Sequence, residues 1–422
     1  MGRRVTQCPV RRGLLHNTGS HSASQQSFVP PNSPSHSVRV VAPEQIGERD
    51  VRSWVALEAR ALEPNAYLSP HYVLPQLRHL ETGRAPQVFL VERQLLHARE
   101  LVGVAVLRDV APNLAFPVRR LVGYHTHFMT LGGLLLDREC AHEALAALLH
   151  HVQGLHGQYG ALELPFIWSD GPLPQLVRTL VADSGFEPQL THAVPRAVMV
   201  PARAAQTLRS PALAHRLRDL GRRQRRLQER GQVAWRLLGA DGVPDGAVES
   251  LLRLEHLGWK GSGGSSLRSR PAQEAFFREV VARFAAERRV QFSEITLDGA
   301  AIASACNFLS GRMAFAFKIG WDPQLRCCSP GWLNEVEYLR NAATHLAGIE
   351  LVDSGAAEDS YINDLWLDRR TIATLTVPLS FTGRLAMGGL TSVRMLKRRV
   401  TGAVTWMFAS MLRRRRVLAP AR

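Results

Sequence analysis

Residues 326–332, with the sequence RCCSPGW, form the clearest candidate for binding a charged ligand. They follow a run typical of a β-strand, MAFAFKIGWD, and precede one typical of a helix, WLNEVEYLRNAATHLAG. Ser329 suits the position before a helix, and Pro330 suits the first helical position because its missing N–H would be unpaired there. Gly331 leaves the backbone uncovered, and free N–H groups at a helix N-terminus attract anions. The segment therefore predicts an anion cradle or simply a well-formed helix start.

The cysteines and histidines do not follow a metal-site or disulfide pattern. The chain has five cysteines, of which Cys327 and Cys328 are adjacent, and no C-x-x-C motif. The histidine pairs at 125/127 and 150/151 have no carboxylate at ligand spacing. The sequence therefore predicts no metal and favours a reducing, cytoplasmic compartment.

The positive charge is concentrated in three segments. The 422 residues carry a formal net charge of +16, and residues 1–43, 209–230 and 394–422 hold more than all of it. Because the rest of the chain is slightly acidic, specific nucleic-acid binding is not favoured. Residues 1–37 lack an apolar run and are predicted to be a disordered tail, not a signal peptide. No run approaches the roughly 20 apolar residues of a membrane-spanning helix.

Residues 386–422 are predicted to form a basic amphipathic helix and tail. Apolar residues recur at helical spacing between basic ones, at Val393, Leu396, Val400, Val404, Met407 and Met411. Such a helix could lie on an anionic membrane surface, or it could pack on the protein body with its arginines in water. Peripheral membrane contact is therefore a hypothesis at this stage.

Two long stretches of the chain repeat one order of predicted elements. Residues 38–205 and 206–385 each read as a strand meander, a helix, a strand, a helix and a strand. The second stretch opens with a helix at 211–229 that has a leucine stripe and many arginines, typical of packing with a solvated basic face or of a basic arm. The order predicts a duplicated α/β unit.

Three segments and the arginine-rich stretch before them resemble a known family. The segments are LEHLGWKGSGGSS (254–266), FKIGWDPQLRCCSPGWL (317–333) and ELVDSGAAEDSY (350–361). They resemble GNAT acetyltransferases of the bacterial branch associated with cellulose and exopolysaccharide biosynthesis. The resemblance covers roughly residues 40–385 and implies an α/β fold of two tandem GNAT-like units with mixed, mainly antiparallel sheets.

The resemblance also implies acetyl-CoA or another acyl-CoA as co-substrate. The family's usual coenzyme cradle is Arg/Gln-x-x-Gly-x-Gly/Ala, and this chain has Ser329 in place of the first glycine. Pro330 removes one N–H that could have bound a phosphate. The expected donors are backbone N–H groups at the helix start, supported by the Ser329 hydroxyl. The predicted coenzyme-binding residues are Arg326, Ser329, Gly331, Trp332 and Leu333.

Acylation of an amine requires a base, because an ammonium group has no lone pair with which to attack. Asp353, at the end of the predicted strand IELVDSG, and Glu337 are the candidate bases. Tyr361 is the candidate acid that reprotonates a leaving thiolate. Each has a structural alternative: Asp353 could serve a turn, and Glu337 could be a solvated helix residue.

Three further residues are predicted to bind substrate. Lys318 alternates with Phe317 along the predicted strand and is placed on its opposite face. It could line a cleft or reach solvent from a half-exposed face. Trp259 and Lys260 precede the glycine-rich GSGGSS and could form a lid or a plain linker.

The leading hypothesis is a cytoplasmic acyltransferase that acts on an amine or hydroxyl of a small polar acceptor, such as a sugar precursor for exopolysaccharide. A first alternative is a Fem-type transferase that uses aminoacyl-tRNA. A second is a non-catalytic accessory protein at a membrane surface. The acceptor and the oligomeric state do not follow from the sequence.

Overall fold

A computed structural model describes residues 35–114, 116–155, 158–182, 187–239, 242–243 and 245–388. The predicted tail at 1–37 therefore falls outside the described residues except at its end. The predicted basic helix at 386–422 falls outside them except at its start. The side chain of Trp259 is also outside the description.

Strands account for much of the described chain. They are β1 (His36–Val41), β2 (Gln87–Gln94), β3 (Arg99–Val110), β4 (Arg120–Gly123), β5 (Leu135–Leu136), β6 (Ala161–Trp168), β7 (Gln189–Met199), β8 (Val233–Leu238), β9 (Val290–Leu297), β10 (Ala300–Ser310), β11 (Met313–Trp321), β12 (Leu351–Asp353) and β13 (Asp368–Pro378).

Helices cover both faces of these strands. They are α1 (Glu48–Ala59), α2 (Pro70–Leu80), α3 (Ala141–Gln153), α4 (Pro172–Val181), α5 (Ala204–Leu208), α6 (Pro211–Gln228), α7 (Asp245–Leu257), α8 (Trp259–Ser262), α9 (Pro271–Ala286), α10 (Pro330–Arg340) and α11 (Ala342–His345). The helix-like run WLNEVEYLRNAATHLAG is interrupted at Asn341, whose Nδ2 donates to the Glu337 carbonyl (2.8 Å).

The strands form one mixed sheet in the order β1-β2-β3-β4-β6-β13-β7-β12-β11-β10-β9-β8, with β5 paired to β3. Among the described strands, β4 with β6 and β11 with β12 are parallel, and the other pairs are antiparallel. The predicted α/β class with a mixed, mainly antiparallel sheet is confirmed.

The two halves of the chain repeat one arrangement. In the first, the meander β1–β4 leads through α3 to the parallel strand β6. In the second, β8–β11 lead through α10 to the parallel strand β12. This confirms the tandem arrangement, while its exact boundary near residue 205 stays a prediction.

The last strand of each half pairs with the other half. β7 pairs with β12, and β13 lies between β6 and β7. This exchange joins the halves through backbone hydrogen bonds and places β7 directly beside the strand that precedes the candidate site.

Two apolar clusters cover opposite faces of β9–β11. One contains α7 and α9 together with fully buried aromatic side chains, among them Tyr72, Phe276 and Phe308. The other contains α6 and α10. Burying one such aromatic side chain contributes about 1.5–3 kcal/mol, so this part of the sheet is held firmly from both sides.

Candidate active site

A gap opens between β11 and β12. The two strands pair only from Met313 to Phe315 and from Leu351 to Asp353. β12 ends there, while β11 continues to Trp321. A cavity of about 160 Å³ lies where the strands separate, and it is lined by side chains from β11, α10 and the segment after β12.

A β-bulge shapes the β11 wall of this cavity. Cys306 pairs with Lys318 and Asn307 pairs with Ala316, which leaves Phe317 as an extra residue. The Lys318 Nζ lies 4.8 Å from the ring centre of Phe128 and 5.5 Å from that of Phe317. The prediction that Phe317 and Lys318 lie on opposite faces is therefore wrong, because the bulge inserts one residue into the alternation.

Glu335 of α10 brings a carboxyl group to the cavity. It has no hydrogen bond or ion pair with any other described residue, and burial raises its pKa to about 7. Tyr338 and Tyr361 line the same cavity. Burial, and secondly the negative charge of Glu335, raises the pKa of both phenols. A carboxyl with a raised pKa beside two protonated phenols can serve as an acid–base set.

The sequence-based prediction missed Glu335 and chose its neighbour Glu337. The two carboxylates are two positions apart on α10, so they point about 200° apart around the helix axis. Glu337 accepts hydrogen bonds from Arg340 Nη1 (2.6 Å) and Gln224 Nε2 (3.4 Å), outside the cavity lining. A usable signal was the stripe of small and polar residues around Glu335, at Gly331, Asn334 and Tyr338, all of them buried.

Asp353 is fully buried beside the cavity but is not part of its lining. Its Oδ1 accepts the Gly355 N–H (3.0 Å), and its Oδ2 lies 3.3 Å from Arg196 Nη1 on β7. Burial raises its pKa in spite of the Arg196 charge. The next residues, Ser354 and Ala356, do line the cavity. Asp353 thus fixes the turn that forms one wall, and of the three predicted catalytic residues the structure brings only Tyr361 to the cavity.

The predicted cradle is a 3₁₀ segment, Pro323–Cys328, that leads into α10. Ser329 precedes the helix with φ of +52°, and its hydroxyl accepts from Arg223 Nη1 (2.8 Å) instead of capping the helix. The Leu333 N–H donates to the Ser329 carbonyl (3.1 Å), so the expected donor at Leu333 is already used. The N–H groups of Gly331 and Trp332 remain as first-turn donors.

Gly331 has a packing role of its own. A Cβ added there would lie 3.2 Å from Trp321 Cδ1, so the glycine lets the indole approach the helix start. Trp332, the next residue, lies under Arg216, whose guanidinium carbon is 4.5 Å from the ring centre. The Trp332 ring is also 5.1 Å from the ring of Tyr361. Trp332 thus connects the helix start to the cavity.

Arginines of α6 and of the turn that follows it surround the cradle segment. Arg223 reaches Ser329, and Arg230 Nη2 lies 3.7 Å from Cys327 Sγ. A hydrogen bond from Cys328, and then the Arg230 charge, lowers the pKa of the Cys327 thiol. The positive charge of Arg226 favours the ionised form of the Cys328 thiol. Arg326, a predicted coenzyme-binding residue, is exposed on the cradle segment. The arginine-rich face of α6 therefore concentrates positive charge at the N-terminus of α10.

Two lysines share one buried carboxylate near the other end of the cavity. Lys260 Nζ lies 3.2 Å and Lys318 Nζ 3.8 Å from Glu255 Oε1, and the Glu255 side chain is fully buried. Lys260 also donates to the Ile319 carbonyl (3.3 Å). Burial lowers the pKa of Lys318 to about 8. The predicted lid or linker thus contains the short helix α8, and Lys260 holds it against β11.

Within the described ranges, no group of three or more histidine, cysteine, aspartate or glutamate side chains is placed to hold a metal ion. In the same ranges, none of the helices combines the length and the apolar character needed to cross a bilayer.

Comparison with known proteins gives a family match for part of the chain. Residues 214–361 match the family model described as Acetyltransferase (GNAT) domain. The match runs from α6 to Tyr361 and so contains Lys318, Glu335 and the cradle. No curated protein matches the chain.

Several solved structures are similar at low identity. A conserved protein of unknown function from Bacteroides thetaiotaomicron has 10% identity and a TM-score of 0.49, over 81% of this chain and 100% of that one. FemX has 10% identity and a TM-score of 0.49, over 77% and 95%. A tandem GNAT protein from the clavulanic acid pathway has 15% identity and a TM-score of 0.39, over 82% and 99%. Nothing about the chemistry of this chain follows from likeness at this level.

The family match falls on the half of the sheet that holds the gap, the unpaired carboxyl and the basic helix start. The cavity and the family match therefore coincide in sequence. Residues 214–361 of this chain match an acetyltransferase (GNAT) domain, and this match supports an acyltransferase.

Proposed function

We propose that this chain transfers an acetyl or longer acyl group from acyl-CoA to an amine or hydroxyl of a small polar acceptor. The observation that carries the proposal is the unpaired Glu335 carboxyl, with its pKa near 7, in the gap between β11 and β12. A sugar-derived precursor of an exopolysaccharide is the acceptor suggested by the family branch that the sequence resembles.

The residues around the helix start fit the phosphates of acyl-CoA. Gly331 and Trp332 offer free N–H groups at the positive end of α10, where a negative charge is stabilised by about 0.3–1 kcal/mol. Arg223, Arg226 and Arg230 add charge on the same side. Acyl-CoA would supply the acyl group as a thioester.

The cavity side chains can hold and move the protons that acyl transfer requires. Ionised Glu335 can accept a proton from an acceptor ammonium or hydroxyl at its carboxylate oxygen. Tyr361 keeps its proton on Oη at neutral pH because burial raises its pKa, so it can give that proton to a leaving group. Tyr338 is a second phenol at the same cavity. The arrangement thus supports general acid–base catalysis.

Arg230→Glu should weaken acetyl-CoA binding at least tenfold, which corresponds to about 1.4 kcal/mol. The substitution reverses a charge beside the helix start, and because Arg230 is exposed the fold should persist. Calorimetric titration with acetyl-CoA and longer acyl-CoAs measures the effect. Arg225→Glu is the matched control, since Arg225 is also exposed and lies about 200° around α6 from Arg223, the residue that reaches Ser329.

Equal affinities of the parent and the Arg230→Glu variant would show that the start of α10 does not bind the coenzyme. If the parent chain binds no acyl-CoA at all, the proposed reaction is wrong. That result would favour the Fem-type transferase, if aminoacyl-tRNA is consumed, or the non-catalytic accessory, if no transfer occurs.

A further inference from the structure

The cavity reaches both faces of the sheet. Glu335 and Tyr338 enter it from α10, in the apolar cluster on one face. Lys318 enters it after the bulge, beside Phe128 and Glu255, which belong to the side of α7 and α9. Because the cradle arginines lie on the α10 side, the Lys318 end is left for the second substrate.

Positive charge dominates this second end. Lys318 and Ile319 line the cavity, and Lys260 is hydrogen-bonded to the Ile319 carbonyl. Burial lowers the pKa of His127, and the nearby positive charges of Lys318 and Arg270 lower it further. Among the described groups whose charges affect the pKa of Lys318, Glu255 is the one anion, and it also forms an ion pair with Lys260. Two ammonium groups therefore face a single carboxylate.

This imbalance is costly in the absence of a ligand. The Lys318 side chain is 18% exposed, and burying an ammonium group without a full partner is unfavourable. The single negative charge of Glu255 balances only one of the two lysines, and its other oxygen, Oε2, accepts the Leu267 N–H (2.9 Å). An anion entering the cavity would complete the charge pairing.

We propose that the Lys318 end of the cavity binds the acceptor through a carboxylate or phosphate group, which Lys318 and Lys260 hold. The acceptor is then an acid that also carries the amine or hydroxyl to be acylated. This inference rests on the proposed function, because it assigns the acceptor to the end of the cavity opposite the cradle.

Direct binding of matched ligand pairs tests the charge requirement. Glucosamine 6-phosphate is compared with glucosamine, and alanine with alaninamide, by calorimetry at low ionic strength without acyl-CoA. In at least one pair the member that carries the phosphate or carboxylate should bind at least tenfold more tightly than the partner that lacks it. The pair that shows the difference identifies phosphate or carboxylate as the group held.

Variants assign the preference to the lysines. Lys318→Met should abolish the difference between the paired ligands, and Lys260→Met, at a partly exposed side chain, should reduce it. Arg312→Met is the control, since Arg312 is an exposed cation in the turn between β10 and β11 and pairs with Glu350. If Lys318→Met does not fold, the Lys260→Met variant alone decides the assignment.

The two proposals fail in different ways. Equal binding within both pairs, no binding of any of the four compounds, or an unchanged preference in both lysine variants would overturn the anionic acceptor site. A preference for the members that carry phosphate or carboxylate, without any acyl-CoA binding, would leave this site in place and reject the acyl-transfer reaction.

Discussion

Glu335→Gln should lower kcat/KM by about 10²- to 10⁴-fold, while acyl-CoA affinity stays close to that of the parent chain. Glutamine keeps the size of the side chain but cannot take a proton from the acceptor. The cradle is built from other residues, so coenzyme binding should persist. Release of CoA in the presence of an active acceptor measures the rate, and calorimetry measures the affinity.

The control for this substitution is on the same helix. Glu337→Gln changes a carboxylate that already binds Arg340 and Gln224, so its rate should stay near that of the parent. If Glu335→Gln keeps more than a third of the activity, or if the two variants lose equal amounts, Glu335 is not the base.

The pH dependence gives a second test of Glu335. A base works when ionised, so the parent kcat/KM should rise with pH through about 7 and then level off. This rise of kcat/KM with pH should be absent in the Glu335→Gln variant. Stability should change in the opposite sense: a carboxyl whose pKa is raised on folding costs stability once pH exceeds its unfolded pKa. The glutamine variant should therefore become relatively more stable between about pH 4.5 and 7.

Arg196→Met should lower the free energy of unfolding by about 3–5 kcal/mol, because it leaves Asp353 as an unpaired charge in a closed environment. Arg196 is 5% exposed and Asp353 is fully buried. Arg196 also donates to the Thr130 carbonyl (2.6 Å), so its loss affects two hydrogen-bond partners. Urea denaturation followed by circular dichroism measures the change.

Two further variants separate charge from packing. Adding Asp353→Asn to Arg196→Met should restore part of the loss, since the second change removes the stranded charge. Arg203→Met breaks a more exposed pair with Asp368 (3.1 Å) and should cost less than about 1 kcal/mol. A similar loss in Arg196→Met and Arg203→Met would show that the buried pair contributes little.

Local signals in the sequence were sufficient for the elements. The start of α10 at Pro330 follows from the Ser-Pro pair, and the two meanders follow from runs of β-branched and apolar residues separated by turns. Lys318 and Tyr361 both line the cavity, and both were selected from the sequence.

Features that depend on pairing between distant strands could not be read from the sequence. The bulge at Phe317 exists because β11 shifts register against β10, and nothing in AFAFKIG marks the shift. Glu335 is a candidate because β11 and β12 separate next to α10, and this separation depends on how distant strands pair. The choice between Glu335 and Glu337 depends on which side of α10 meets that gap, and helical periodicity alone does not settle it.

The exchange of β7 and β13 constrains how the protein is made. β13 pairs with β6 and β7 of the first half and ends at Pro378. The ribosome must therefore make almost all of the described chain before β13 can pair with these two strands. Until Asp353 has been made, β7 also lacks β12, and unpaired strand edges promote association between chains. A nascent chain that stops before residue 351 would carry β7 with both edges open. Cutting the gene at the middle of the chain would therefore give two fragments that each lack a pairing strand supplied by the other.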